Sequence, residues 1–249
     1  MELTGKRALV TGGGRGIGLA IARALAARGA SVTVSGRARG PIEEAAQAIG
    51  GRAVVCDLTD RAATDALVAE VGAVDILVNN AGVAESAPLA ATDDAMWDRI
   101  LELDATAPFR LVRALVPAMV AAGWGRVVNV ASNAGLTGYG YTAAYCAAKH
   151  AMVGFTRALA IDLGCSGVTI NAVCPGWVDT PMARADVVKT AHERGQAQAD
   201  VEAAIYAGIP IGRMVSADEC AALIAWLASP EAAAVTGEAY NISGGEFFA

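Results

Sequence analysis

Tyr145 and Lys149 stand four residues apart in the stretch YTAAYCAAKHAM (141–152), with a second tyrosine, Tyr141, four residues before the first. Residues at that spacing lie one above the other on a helix, so the pattern predicts a helical face that presents a phenol and an ammonium among small neighbours. A cation ~5 Å from a phenol, at an effective dielectric of ~20, favours the phenolate by about 3 kcal/mol, or roughly 2 pK units. A tyrosine treated in this way would shuttle protons near neutrality, whereas an exposed pair would be a surface feature without chemistry. Tyr141 is expected to be pocket wall or helix packing rather than a second acid.

A second group of residues could hold an anion. In VTGGGRGIGLAIARALAARGA the ordinary G-x-G-x-x-G pattern fails, because the sixth position counted from Gly12 is Ile17. Gly12, Gly16 and Gly18 instead fit G-x-x-x-G-x-G, led by Thr11, with Gly14, Arg15 and Ile17 in the same turn. A glycine turn that follows a strand and opens a helix is where backbone amides and a helix N-terminus bind a pyrophosphate. The residue after the next strand separates NAD from NADP, since a carboxylate bonds a ribose 2′-hydroxyl and an arginine accepts a 2′-phosphate. There TVSGRARG supplies Gly36, then Arg37 with Arg39 close behind, and Arg15 would add a further charge for a phosphate. These residues are read as binding NADP(H).

The elements that must position these groups follow from hydrophobic periodicity. RALVT, SVTVS, RAVVC, VDILVN, GRVVNVA, VTINAVC and AYNI read as seven strands, separated by alanine-rich helical stretches. That alternation predicts an α/β chain with a parallel sheet covered on both faces, whose ligands bind beyond the carboxyl ends of the strands. With no linker or repeat, residues 1–249 are expected to form one domain. Residues 183–206 are polar and helical without a strand of their own, so the segment around 181–206 is read as a substrate lid. The net charge of −6 comes from signs mixed along the chain, which argues against nucleic acid as a partner. No apolar run approaches the ~18 residues of a membrane span, and a soluble, cytoplasmic protein is expected. Five scattered cysteines without C-x-x-C, and the distant His150 and His192, suggest neither disulfides nor a metal site.

Taken together, T-G-x-x-x-G-x-G at 11–18, NNAG at 79–82, Ser132, Y-x-x-x-K at 145–149 and PGWVDT at 175–180 resemble the short-chain dehydrogenase/reductase family over essentially the whole chain. The resemblance implies a Rossmann-type, doubly wound sheet and an oxidoreductase. It implies that Asp57 and Leu58 contact adenine, that Asn80 and Gly82 pass under the adenosine ribose, and that Val178 and Thr180 hold the nicotinamide carboxamide. Tyr145 would be the acid, Ser132 would hold a ketone oxygen, and Lys149 would bond the nicotinamide ribose as well as tune the tyrosine. One position departs from the family: its usual asparagine is matched by Asp104, which when ionised only accepts hydrogen bonds. Asp104 is therefore expected to act as a modified member of the proton relay with an altered pH profile, the alternative being weakened activity.

Within the family, NAVCPGWVDTPMA and the segment 208–245 resemble β-ketoacyl carrier-protein reductases and polyketide ketoreductases; CPGWV with a long lid also resembles 3-hydroxybutyrate dehydrogenases. The expected activity is NADPH-dependent reduction of a 3-oxoacyl thioester or related ketone. The alternative is an NAD(P)-dependent secondary alcohol or 3-hydroxyacid dehydrogenase acting on a free small molecule. A non-catalytic NADPH-binding regulator would be recognised by loss of the serine, tyrosine or lysine, and all three are present. Asn133, Leu136, Tyr139, Trp177, Met182 and the lid are expected to wall the substrate pocket, with Arg184, Lys189 and Arg213 as candidates for a carrier's acidic surface. The stretches AAYCAAKHAMVGFTRALAIDL and ATAPFRLVRALVPAMVAA are apolar nearly all round and so need partners on every side; the resemblance implies a homotetramer built on them.

Overall fold

The computed structural model describes residues 3–248. The predicted strands form β1 (Arg7–Thr11), β2 (Ser31–Gly36), β3 (Arg52–Val55), β4 (Ile76–Asn79), β5 (Gly125–Val130), β6 (Val168–Pro175) and β9 (Ala239–Ile242). They make one parallel sheet in the order β3-β2-β1-β4-β5-β6-β9. Strand order reverses between β1 and β4, so a crevice opens there beyond the strand ends. Two further strands absent from the sequence reading, β7 (Val178–Asp179) and β8 (Val215–Ser216), form a separate small parallel pair. Expected strand RAVVC ends one residue early, leaving Cys56 outside β3.

The strands read as nearly continuous apolar runs because both faces are covered. On one face Val10, Ile76, Val78 and Val128 pack against α1 (Gly16–Ala27), α2 (Arg39–Ile49) and α9 (Ala217–Leu227). The alternate residues Leu9, Leu77 and Val127 pack against α3 (Arg61–Val71), α5 (Ala107–Ala121) and α6 (Ala143–Leu163). A buried polar ladder sets the position of α6 on the sheet: Asn79 Nδ2 donates to Asn129 Oδ1 at 2.8 Å, and Asn129 Nδ2 donates to Thr156 Oγ1 at 2.8 Å. Inside the low-dielectric core such bonds are expensive to break, so the helix carrying Tyr145 and Lys149 is held in one register.

Between α4 (Asp94–Leu101) and α5 the chain makes one π-helical turn, Glu102–Thr106, a local widening of a kind that sequence periodicity does not reveal. The segment expected as a lid consists of two helices, α7 (Pro181–Arg194) and α8 (Gln198–Ala207), separated by Gly195 in the left-handed conformation. They enclose a small apolar core of Ala183, Val187, Ala191, Val201, Ile209 and Met214. Arg184 fastens them, donating to Asp179 and to Glu202 at 2.8–2.9 Å. Among the described residues no helix is long and apolar enough to cross a membrane.

Candidate active site and cofactor cleft

A cleft of about 640 Å³ lies at the strand-order reversal, lined by Gly12, Gly14, Arg15, Gly16, Ile17 and Gly18 of the glycine loop. Gly12 and Gly16 have φ of +65° and +53°, a region that side chains other than glycine's enter at a cost. A Cβ on Gly18 would stand 2.2 Å from the Gly12 carbonyl oxygen, so this loop can pack against its helix only with glycine there. The N-terminus of α1 has no side-chain cap, which leaves first-turn amides for an anion. Asn80 and Thr11 hold the loop in place: Asn80 Nδ2 donates to the Thr11 and Gly12 carbonyls at 2.9 and 3.3 Å, and Thr11 Oγ1 accepts from the Asn80 and Ala81 amides at 3.0 Å each.

At the end of β2, Arg37 lines the cleft with Gly36 and Ser35. The Ser35 hydroxyl is buried with no hydrogen-bond partner among the described residues, an orphaned group on the cleft wall that the sequence reading missed. Arg39 does not join them; it ion-pairs with Glu43 at 3.0 Å on α2. Asp57 and Leu58 line the same end, where Asp57 Oδ1 accepts from the Thr59 amide at 3.0 Å and hydroxyl at 2.8 Å. Gly82 and Thr180 also line the cleft, and Thr180 caps α7. Val178 is buried behind it, packed near Ile17. A cleft lined by an uncapped helix N-terminus, an orphaned hydroxyl and an arginine fits a phosphorylated dinucleotide.

At the other end Tyr145 and Lys149 share one face of α6, as their spacing predicts, and both line the cleft. Tyr141 does not join them: α6 begins at Ala143, and Tyr141 lies ahead of it at φ +65°, 70% exposed. Lys149 is buried, its Nζ donating to the Val130 carbonyl at 3.1 Å and lying 3.4 Å from Asp104 Oδ2 and 5.6 Å from the Tyr145 ring centre. Asp104 is fully buried in the π-helical turn, and its Oδ1 accepts from the Val83 amide at 2.9 Å. Gly82 makes the space, since a Cβ there would sit 3.2 Å from both carboxylate oxygens.

The electrostatics depart from the sequence expectation. Burial pushes the Tyr145 phenol above its ordinary pKa; Lys149 pulls it down, Asp104 pushes it up again, and a hydrogen bond with Ser132 favours the ionised form, with the net direction upward. The expected downward shift counted the ammonium alone, without desolvation or the carboxylate beside it. Burial likewise raises Asp104 against the opposing pull of Lys149, while Asp104 and Tyr145 together keep Lys149 protonated against its own desolvation. The arrangement therefore keeps a proton on Tyr145 near neutrality.

Ser132 lies at the end of β5, its Oγ donating to Asn133 Oδ1 at 3.2 Å and accepting from the Ala134 amide at 3.1 Å. Asn133 Nδ2 in turn donates to Tyr139 Oη at 2.6 Å and to Glu246 Oε2 at 3.2 Å. Glu246 is a second group the sequence reading did not single out. Met182 lines the cleft and is half exposed; Leu136 packs near Met152 and Trp177 packs against the apolar core of α7 and α8. The cysteines are free, and Cys165 is exposed. His150 lies on the surface of α6.

Residues 6–190 match the family model described as short chain dehydrogenase. Over 98% of both chains, the sequence is 39% identical to a D-beta-hydroxybutyrate dehydrogenase of Cupriavidus necator. Over 99% of both, it is 38% identical to the 3-oxoacyl-(acyl-carrier-protein) reductase FabG of Escherichia coli. The fold superposes with TM-score 0.91, at 38% identity and 97% coverage of each chain, on a variant of actinorhodin polyketide ketoreductase crystallised with NADPH.

Proposed function

Since the chain belongs to the short chain dehydrogenase family and is an oxidoreductase, we propose that it reduces a 3-oxoacyl thioester or related ketone to the hydroxy compound with NADPH. The observation that carries this reading is the buried Asp104–Lys149 pair beneath Tyr145, with Ser132 hydrogen-bonded beside it at the end of the cleft. The cofactor, when bound, supplies a hydride to the carbonyl carbon. Ser132 turns its hydroxyl from Asn133 to the carbonyl oxygen, and Tyr145 delivers its proton to the same oxygen as negative charge develops there. Lys149 stabilises the phenolate left behind, and Asp104 holds Lys149 in position and in its charged form. A phenol kept protonated by burial suits the reductive direction, in which it must start as an acid.

The glycine loop, Arg15 and Arg37 are assigned to the phosphates, Ser35, Asp57, Leu58, Asn80 and Gly82 to the adenosine, and Val178, Thr180 and Lys149 to the nicotinamide half. NADPH in the superposed ketoreductase and the absence of a carboxylate directly after β2 support the phosphorylated cofactor. Asn133, Tyr139, Trp177 and Met182 form the substrate wall, with α7 and α8 as its lid on a single catalytic domain. The exposed Phe109 and Val120 of α5 and Ile161 of α6 support a homotetramer built on these helices, and we assign it to the cytoplasm.

The test is loss of NADPH absorbance with purified protein and acetoacetyl-CoA, with NADH run in parallel. Turnover that prefers NADPH is the expected result. NADPH binding without turnover of this or other 3-oxo esters would refute the assignment.

A further inference from the structure

The C-terminal segment places a carboxylate beside the substrate wall by construction. Gly244 and Gly245, with φ of +66° and +87°, turn the chain back after β9, and Ile211 at the stem of the lid bonds the Gly244 carbonyl at 3.2 Å. The turn delivers Glu246 over the loop after β6, where a Cβ on Gly176 would stand 2.5 Å from Glu246 Oε2. Glycine at 176 is thus what leaves room for the carboxylate. The Trp177 amide and Asn133 Nδ2 hold it, and these hydrogen bonds oppose the burial that raises the Glu246 carboxyl above its ordinary pKa. Its charge also bears on Tyr139, whose hydroxyl shares the Asn133 amide. Glu246 is therefore one asparagine side chain away from the Ser132 hydroxyl that would grip the ketone.

Resting on the ketoreductase reading above, we infer that Glu246 is a charge filter: the site accepts neutral 3-oxoacyl esters and thioesters and turns away free 3-oxo acids. In a 3-oxo acid only one carbon separates the ketone from the carboxylate, so a ketone held at Ser132 keeps the second charge close by. Two carboxylates ~8 Å apart at an effective dielectric of ~20 repel enough to separate acid from ester by roughly 30-fold. Glutamine at 246 keeps an acceptor for Asn133 and removes the charge; aspartate keeps the charge on a shorter arm.

The experiment compares kcat/KM for ethyl acetoacetate and for acetoacetate, with NADPH, in the parent, Glu246→Gln and Glu246→Asp. The parent should favour the ester, the ratio should fall at least roughly tenfold in Glu246→Gln, and Glu246→Asp should retain most of it. An unchanged ratio in Glu246→Gln, or equal relaxation in both variants, overturns the filter while leaving the ketoreductase reading standing. No turnover of either compound by the parent, with NADPH bound, overturns both.

Discussion

Replacing Asp104 with asparagine removes a negative charge and keeps the size of the side chain. The carboxylate oxygen is 3.4 Å from Lys149 Nζ, which is 5.6 Å from the Tyr145 ring centre; the charge thus acts on the ring from no more than about 9 Å. At an effective dielectric of ~20 that charge opposes the phenolate by about 1.8 kcal/mol, or roughly 1.4 pK units. A negative neighbour disfavours a second anion, so its removal lowers the Tyr145 pKa. In ketone reduction Tyr145 must carry its proton, and the alkaline fall of kcat/KM should move down by roughly one unit. In alcohol oxidation it must be ionised, and the rising limb should move down by the same amount. The amide oxygen of asparagine can still accept from Val83, so folding should survive. The assay is the pH dependence of NADPH consumption and formation for parent and Asp104→Asn. Superimposable profiles in both directions would refute the reasoning and leave Asp104 without influence on the acid.

Three further outcomes are expected. Arg37→Ala should raise the KM for NADPH roughly ten- to a hundredfold, the scale of a lost charge-assisted bond, and leave that for NADH unaltered; equal losses for both cofactors would remove the arginine from the 2′-phosphate. Gly18→Ala should abolish cofactor binding, because its Cβ meets the Gly12 carbonyl at 2.2 Å, and parent-like binding by NADPH fluorescence would contradict this. Thr156→Val leaves Asn129 Nδ2 without its acceptor at a cost of about 1–3 kcal/mol, and each kcal/mol should lower Tm by roughly 2–4 °C at this chain length. A melting curve that does not move would show the ladder to be dispensable.

What could be read beforehand was what is local in the chain. The Tyr145–Lys149 face follows from a period of 3.6, and the seven strands follow from short apolar runs between helical stretches, so both emerged where expected. Tyr141 obeys the same spacing yet falls outside the helix, because α6 starts only at Ala143. Arg39 had its partner four residues away in Glu43, a signal present in the sequence and passed over. Ser35, Glu246 and the Val83 amide enter the site through contacts made between distant parts of the chain, for which no periodicity exists. The direction of the Tyr145 shift was misjudged for a related reason. A spacing supplies the nearest charge, whereas burial and the fully buried Asp104 depend on how α4, α5 and α6 meet.

The π-helical turn at Glu102–Thr106 acts as a phase shift between two helices. An α-helix rotates about 100° per residue, so one additional residue lets α4 and α5 aim their apolar faces independently. Ile100 of α4 is directed to Ala144 and Ala148 of α6, while Leu111 and Leu115 of α5 are directed to the sheet. Deleting one residue from the turn would restore regular helix and put the two faces out of step by that angle. One of the helices would lose its packing, or Asp104 would rotate away from Lys149. Chain length in this turn is consequently constrained along with residue identity, and insertions or deletions here should be tolerated far less than substitutions at its half-buried ends, Glu102 and Thr106.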